Sequence, residues 1–184
     1  MSSLLQTNKN SFPRLNRSCL VLIGMPGSGK STLGRILCSE RQFAWVDTDH
    51  LMQAWWGMPL QTILDHLGMD EFLDAEAELV KSLNLNQTVI STGGSVVYKE
   101  GAMQHLGRLG RIVYLRADVR VIASRIKDAA DRGMVMYNGL NLEQVYNQRR
   151  PLYEKYAELV QDTDRQSPGQ CARFILTWLQ KLKK

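Results

Sequence analysis

Residues 24–31 read Gly-Met-Pro-Gly-Ser-Gly-Lys-Ser, a full match to the GxxxxGK[ST] spacing. Each part of that spacing serves an anion. Gly24, Gly27 and Gly29 let the backbone come close to a phosphate and take positive φ where the turn needs it. The N–H groups of the loop and of the helical turn after it point at the β-phosphate, and the helix dipole adds to them. Gly27, Ser28, Gly29, Lys30, Ser31 and Thr32 are therefore the candidate nucleotide-binding residues, Thr32 through its place in the first helical turn. Lys30 is placed to reach the β- and γ-phosphates, and the Ser31 hydroxyl to ligate Mg²⁺. ATP and Mg²⁺ are the expected cofactors. A glycine-rich turn that only caps a helix is the plainer alternative, but such a turn needs neither Lys30 nor Ser31.

A second constellation follows at Asp47-Thr48-Asp49. One carboxylate can hold Mg²⁺ or its waters; the other can accept a hydrogen bond from an acceptor hydroxyl and help to take its proton. Here too there is a plainer alternative, a helix cap with Thr48 or Asp49 starting the next helix.

Both motifs need a scaffold that brings them together. The apolar run Cys19–Ile23 before the loop has the character of a buried parallel strand, and Leu33, Ile36 and Leu37 mark one face of the helix after it. Further strands are expected at 43–46, 88–91 and 111–115, with a fifth beginning at 159–160. Helices are expected at 51–66 with a break at 57–59, and at 70–83, 119–126, 142–159 and 170–182. The alternation predicts a three-layer α/β fold, a five-stranded parallel sheet flanked by helices. In such a sheet Asp47 and Asp49 fall at the carboxyl edge, beside the phosphate loop. The polar stretch 127–141 has no clear period and is a lid candidate; a kinase needs one to keep water from the γ-phosphate.

Composition narrows the class. The 184 residues are 44% hydrophobic, enough for one domain at 18–184, with residues 1–17 as a loose tail. No run approaches the roughly 18 apolar residues of a membrane span, and the tail lacks the apolar centre of a signal peptide. Three cysteines without ligand spacing fit reduced thiols in the cytoplasm. The net charge of +5 is accounted for by anionic ligands, and there is no aromatic-and-basic array of the kind single-stranded nucleic acid requires. The expected partner is a small-molecule acceptor, with no nucleic acid and no membrane, and a monomer is the expected state. Trp45, Trp55, Trp56 and Trp178 are expected as core or pocket wall, and the three histidines as ordinary surface or helix residues.

The ordered set GMPGSGKST, VDTD, Gly68 and Phe72 with Glu76 beyond, TGG at 92–94, RIVYL, Arg132 and RRPLY at 149–153 resembles the shikimate kinases, over residues 18 to 182. The resemblance implies a core like that of nucleoside monophosphate kinases. It also implies roles. Asp47 would lie near Mg²⁺ and Asp49 at the acceptor hydroxyl. Gly93 and Gly94 would offer N–H groups to the acceptor, and Arg132 in the lid would neutralise the γ-phosphate. Arg149 would grip the acceptor carboxylate, and Arg125 and Pro168 would sandwich adenine. A solvated helix charge is the plainer alternative for Arg149.

The chain departs from this pattern on the acceptor side. The family's acceptor helix reads Phe-Arg-x-x-Glu and its arginine pairs with the shikimate carboxylate; here the residues are Phe72-Leu73-Asp74-Ala75-Glu76. A charged hydrogen bond is worth roughly 1.5–3 kcal/mol, one to two powers of ten in binding. Ser95 stands where the family has a third glycine, and the lid reads Arg132-Gly133-Met134 in place of Arg-Pro-Leu. Leu73 and Glu76 are thus candidate specificity residues. Shikimate is one candidate acceptor. Another is a hydroxy amino acid such as homoserine, with Glu76 or Asp74 taking its ammonium. Alternatively Leu73 only packs, and Arg150 compensates. A gluconate-type kinase and a nucleotide-dependent binding module without turnover are the remaining classes.

Overall fold

We describe the chain from a computed structural model, which covers residues 17–41, 43–127 and 140–182. Most of the expected tail and of the lid, including Arg132, lies outside the described residues.

The sheet is built on β1 (Cys19–Ile23), whose five residues are all buried. Helix α1 (Lys30–Arg41) follows the glycine loop, then β2 (Ala44–Asp47), α2 (Thr48–Trp56) and α3 (Leu60–Ser82). Next come β3 (Thr88–Ser91), a 3-10 turn (Val96–Tyr98), α4 (Glu100–Leu109) and β4 (Gly110–Arg116). The chain continues through α5 (Val119–Lys127), α6 (Leu142–Tyr156), β5 (Leu159–Asp162) and α7 (Pro168–Lys181). The five strands lie in the order β2-β3-β1-β4-β5, all parallel. The strand order reverses at β1, so the carboxyl ends of β1, β2 and β3 open onto the crevice where such sheets bind ligands.

Alternation along β1 sends its side chains into two cores. Cys19, Val21 and Ile23 join Ile112 and Tyr114 under α4 and α6. Leu20 and Leu22 join Val113 and Leu115 under α1 and α7. A third, smaller cluster of Met52, Ile63, Phe72 and Leu73 packs α2 against α3, away from the sheet. Close packing also fixes particular glycines. A Cβ on Gly34 would lie 2.3 Å from Trp45 Nε1, so α1 seats against β2 only without a side chain there.

Several boundaries differ from expectation. The break at 57–59 is where it was expected, with Gly57 at φ 67 closing α2, but α2 already begins at Thr48. The two expected helices beyond it are one element, α3, kinked at Gly68 with φ 71. Helix α6 ends at Tyr156, not Leu159, which frees Leu159–Asp162 to pair with β4. Helix α4 was not expected at all. Its buried Ala102, Met103, Leu106 and Leu109 do repeat at helical spacing, but Gly101 and Gly107 dilute the pattern. Trp55 is 77% exposed, neither core nor pocket wall; a position near the end of α2 leaves its ring facing solvent.

Candidate active site

The glycine loop wraps the carboxyl end of β1. Gly24, Gly27 and Gly29 have φ of 145, 77 and 98, a conformation that side chains resist. Ser28 N–H donates to Met25 O at 3.1 Å and tightens the turn. Lys30 Nζ donates to Gly24 O and Met25 O at 2.8 Å each. Its burial pushes the ammonium pKa down to about 8, against the pull of Asp49 and Asp47. Partial loss of the proton would be costly for phosphate binding, and phosphate charge would restore it.

Asp47 ends β2 and does two jobs. Its Oδ1 accepts from Asp49 N–H at 3.1 Å and caps α2. Its Oδ2 accepts from Ser31 Oγ at 2.8 Å. The cap and the Ser31 contact therefore coexist. The adjacent hydroxyl and carboxylate are hard oxygen donors of the kind Mg²⁺ takes along with phosphate oxygens.

Asp49, one residue into α2, has its carboxyl pKa raised to about 6 by burial and by Asp47, with Lys30 opposing. On α3, Glu76 is 2% exposed, and burial with Asp49 nearby raises its pKa to about 8. Ser95 Oγ donates to Glu76 Oε2 at 2.8 Å. The two carboxylates converge on the bare face of Gly93: a Cβ there would lie 2.1 Å from Glu76 Oε1 and 2.6 Å from Asp49 Oδ1. Gly93 N–H itself donates to Thr48 Oγ1 at 2.9 Å, so Gly93 contributes close approach and its N–H is engaged within the protein. Gly94 is similarly tight, with Arg149 Nη1 3.1 Å from its notional Cβ.

Arg149 is the cation of this region. It is 1% exposed on α6, so a solvated helix charge is the wrong description. Its Nε donates to Tyr98 Oη at 3.2 Å and the guanidinium lies 5.2 Å from that ring's centre. Its Nη2 is buried without a hydrogen-bond partner among the described residues. A buried polar group left in this way costs about 1–3 kcal/mol, more if charged. Arg150 is different, paired at 2.9 Å with Glu154 on the surface of α6.

On the other flank, Arg125 of α5 donates to Gly27 O at 3.2 Å and to Thr163 O at 2.8 Å. Pro168 opens α7 beside it. A cavity of about 770 Å³ joins both flanks, lined among others by Gly27 to Thr32, Asp47, Asp49, Gly94, Arg125, Arg149 and Pro168. Leu73 is not on its wall; it is 5% exposed among Met52, Ile63 and Phe72. Four residues at the site had no role in the sequence reading. Thr48 holds Gly93, and Tyr98 holds Arg149. Ser95 holds Glu76, and Tyr153 Oη donates to Gly94 O at 2.6 Å. Thr48, inside the VDTD string, Tyr153, inside the RRPLY string, and Ser95, at the altered glycine position, carried a sequence signal; Tyr98 did not.

A family model for shikimate kinase matches residues 26–180. The shikimate kinase of Chromohalobacter salexigens is 35% identical over 168 residues, 89% of this chain and 92% of the relative. That of Thermodesulfovibrio yellowstonii is 32% identical over 166 residues, 89% and 95% of the two chains. The solved shikimate kinase of Acinetobacter baumannii, in complex with shikimate, is 25% identical with a TM-score of 0.82, covering 91% of this chain and 96% of that one. By this likeness and by its phosphate-loop architecture, the chain belongs to the shikimate kinase family, ATP-dependent phosphotransferases that act on an alcohol.

Proposed function

We propose that the protein transfers the γ-phosphate of ATP to shikimate, giving 3-phosphoshikimate. The observation that carries the proposal is Arg149: a buried guanidinium whose Nη2 has no hydrogen-bond partner among the described residues, on the wall of the cavity that also holds Asp49 and the phosphate loop. A ligand carboxylate would relieve that orphaned donor and set its hydroxyl toward Asp49.

In this mechanism the loop N–H groups and Lys30 hold the β- and γ-phosphates. Ser31 and Asp47 would hold Mg²⁺, which when bound neutralises charge on the phosphates. Asp49 accepts the hydroxyl proton; a carboxyl near 6 is mostly ionised at pH 7 and still basic enough to take it. Gly93 makes room for the Glu76 and Asp49 carboxyls, and Gly94 for Arg149 on the cavity wall. Arg125 and Pro168 flank adenine, and Arg132 has only the role that the family resemblance implies, neutralising charge on the γ-phosphate. The protein works in the cytoplasm as a monomer; among the described residues no helix is long and apolar enough to cross a membrane.

A second reading, a hydroxy amino acid such as homoserine, draws on Glu76 and Asp49, which converge on Gly93. It is the weaker one. An ammonium ligand needs Glu76 ionised, and burial favours its neutral form up to about pH 8. ADP release measured with shikimate, homoserine and gluconate at equal concentration separates them. Shikimate is expected to give by far the highest kcat/KM; equal or higher turnover of homoserine overturns the proposal.

A further inference from the structure

Leu73 offers no polar atom, so the Glu76 carboxyl must be held by something else. Glu76 is buried on α3, and its hydrogen bond to Ser95 Oγ ties it to the glycine loop that follows β3. The charged groups facing it are Asp49 from α2, Arg149 from α6 and Lys30 from α1. With Oε2 fixed by Ser95, Oε1 is the oxygen left beside Gly93 and Asp49.

We propose that Ser95, on the cavity wall, is a positioning residue for acceptor specificity: its hydroxyl fixes Glu76 Oε2, so that Oε1 is held at Gly93 beside Asp49 as the hydrogen-bond donor next to that base. The division of labour follows from chemistry. Asp49 must accept a proton from the reacting hydroxyl. A second ionised carboxylate beside it would repel Asp49 and could only accept. A neutral Glu76 instead donates from Oε1 to an acceptor oxygen and leaves Asp49 as the single base. The site then selects an acceptor with a carboxylate for Arg149, a reacting hydroxyl for Asp49 and an additional oxygen for Glu76. It disfavours one with an ammonium in that last place.

This inference rests on the shikimate kinase reading, and the test keeps the two apart. Steady-state kinetics at saturating ATP are compared for wild type, Ser95→Ala and Glu76→Gln, across pH 6 to 9.5. Wild type is expected to lose kcat/KM for shikimate as Glu76 ionises. Ser95→Ala is expected to raise the shikimate KM about five- to twentyfold, with kcat and the ATP KM within about twofold. Its basic limb should move to higher pH, because the Ser95 O–H stabilises the ionised carboxylate and its loss raises the Glu76 pKa further. A merely structural role would not move that limb. Glu76→Gln keeps an acceptor for Ser95 and a donor for the ligand, and should lose the limb while binding shikimate.

A wild type without shikimate-dependent ADP release sinks the functional reading and this inference with it. An active wild type with Ser95→Ala unchanged in KM, or with the limb still present in Glu76→Gln, sinks this inference alone.

Discussion

The two halves of the cavity are built in opposite ways. On the nucleotide side the charged groups and the Ser31 hydroxyl are already occupied, and only the neutral Ser28 Oγ lacks a partner among the described residues. Lys30 is tied to two carbonyls, Ser31 to Asp47, and Arg125 to Gly27 and Thr163. On the acceptor side the charges are buried and under-matched: Arg149 Nη2 has no partner among the described residues, and Asp49 and Glu76 crowd one glycine. The first half is held by backbone geometry that a sequence motif encodes. The second is held by side chains from α2, α3, α6 and the loop after β3, which meet only in three dimensions. The difference teaches where each half is vulnerable: the nucleotide half to loss of charge at one lysine, the acceptor half to small changes in packing.

The strongest way to break this comparison is Lys30→Met. If the nucleotide half is a fixed cradle for transition-state charge, kcat should fall about a thousandfold while the far-ultraviolet dichroism stays unchanged; a loss of less than tenfold would remove Lys30 from the chemistry. Arg149→Met comes next. The shikimate KM should rise roughly ten- to a hundredfold, ATP binding by calorimetry should not change, and the melting temperature should change little, since removing a buried donor without a partner among the described residues offsets the loss of a cation that faces Asp49 and Glu76. A drop in melting temperature without a change in KM would make Arg149 structural.

Leu73→Arg sharpens the comparison on its own terms. Leu73 packs among Met52, Ile63 and Phe72, so the charged side chain should cost about 2–4 kcal/mol of stability in urea unfolding. Improved shikimate turnover at unchanged stability would instead mean that the position opens to the acceptor. Tyr153→Phe deletes one hydroxyl that holds Gly94 O. About a two- to tenfold rise in shikimate KM, with kcat retained, is expected. Below pH 6 the rate should fall about tenfold per pH unit, because Asp49, raised to about 6, must be ionised to accept a proton; a flat profile down to pH 5 removes it as the base.

The loop, the alternation and the sheet were legible because each is local: a fixed spacing, an apolar run, a turn residue. Asp47 and Asp49 were legible for the same reason, as they follow a strand directly. The acceptor half was only partly so. The resemblance pointed to Arg149, but nothing in the chain between 98 and 149 says that the guanidinium lies against Tyr98. Leu73 was singled out by a missing cation, yet its surroundings depend on how α2 packs on α3. The Ser95–Glu76 bond joins residues on different elements and has no periodic signature. Helix α4 was lost to two glycines whose helical cost its packing overrides.

Asp47 binds its two duties into one carboxyl group, with one oxygen capping α2 and the other on Ser31. A side chain so placed is pleiotropic. Its removal loosens the helix that carries Asp49 at the same moment as it strips the proposed Mg²⁺ ligand, so decay of catalysis by that route also erodes the fold. Asp47→Asn separates the two, since an amide oxygen still caps while the negative charge is gone. An inactive yet well-folded relative of this kinase is therefore one nucleotide change away at that codon, and an alanine in its place would not give it.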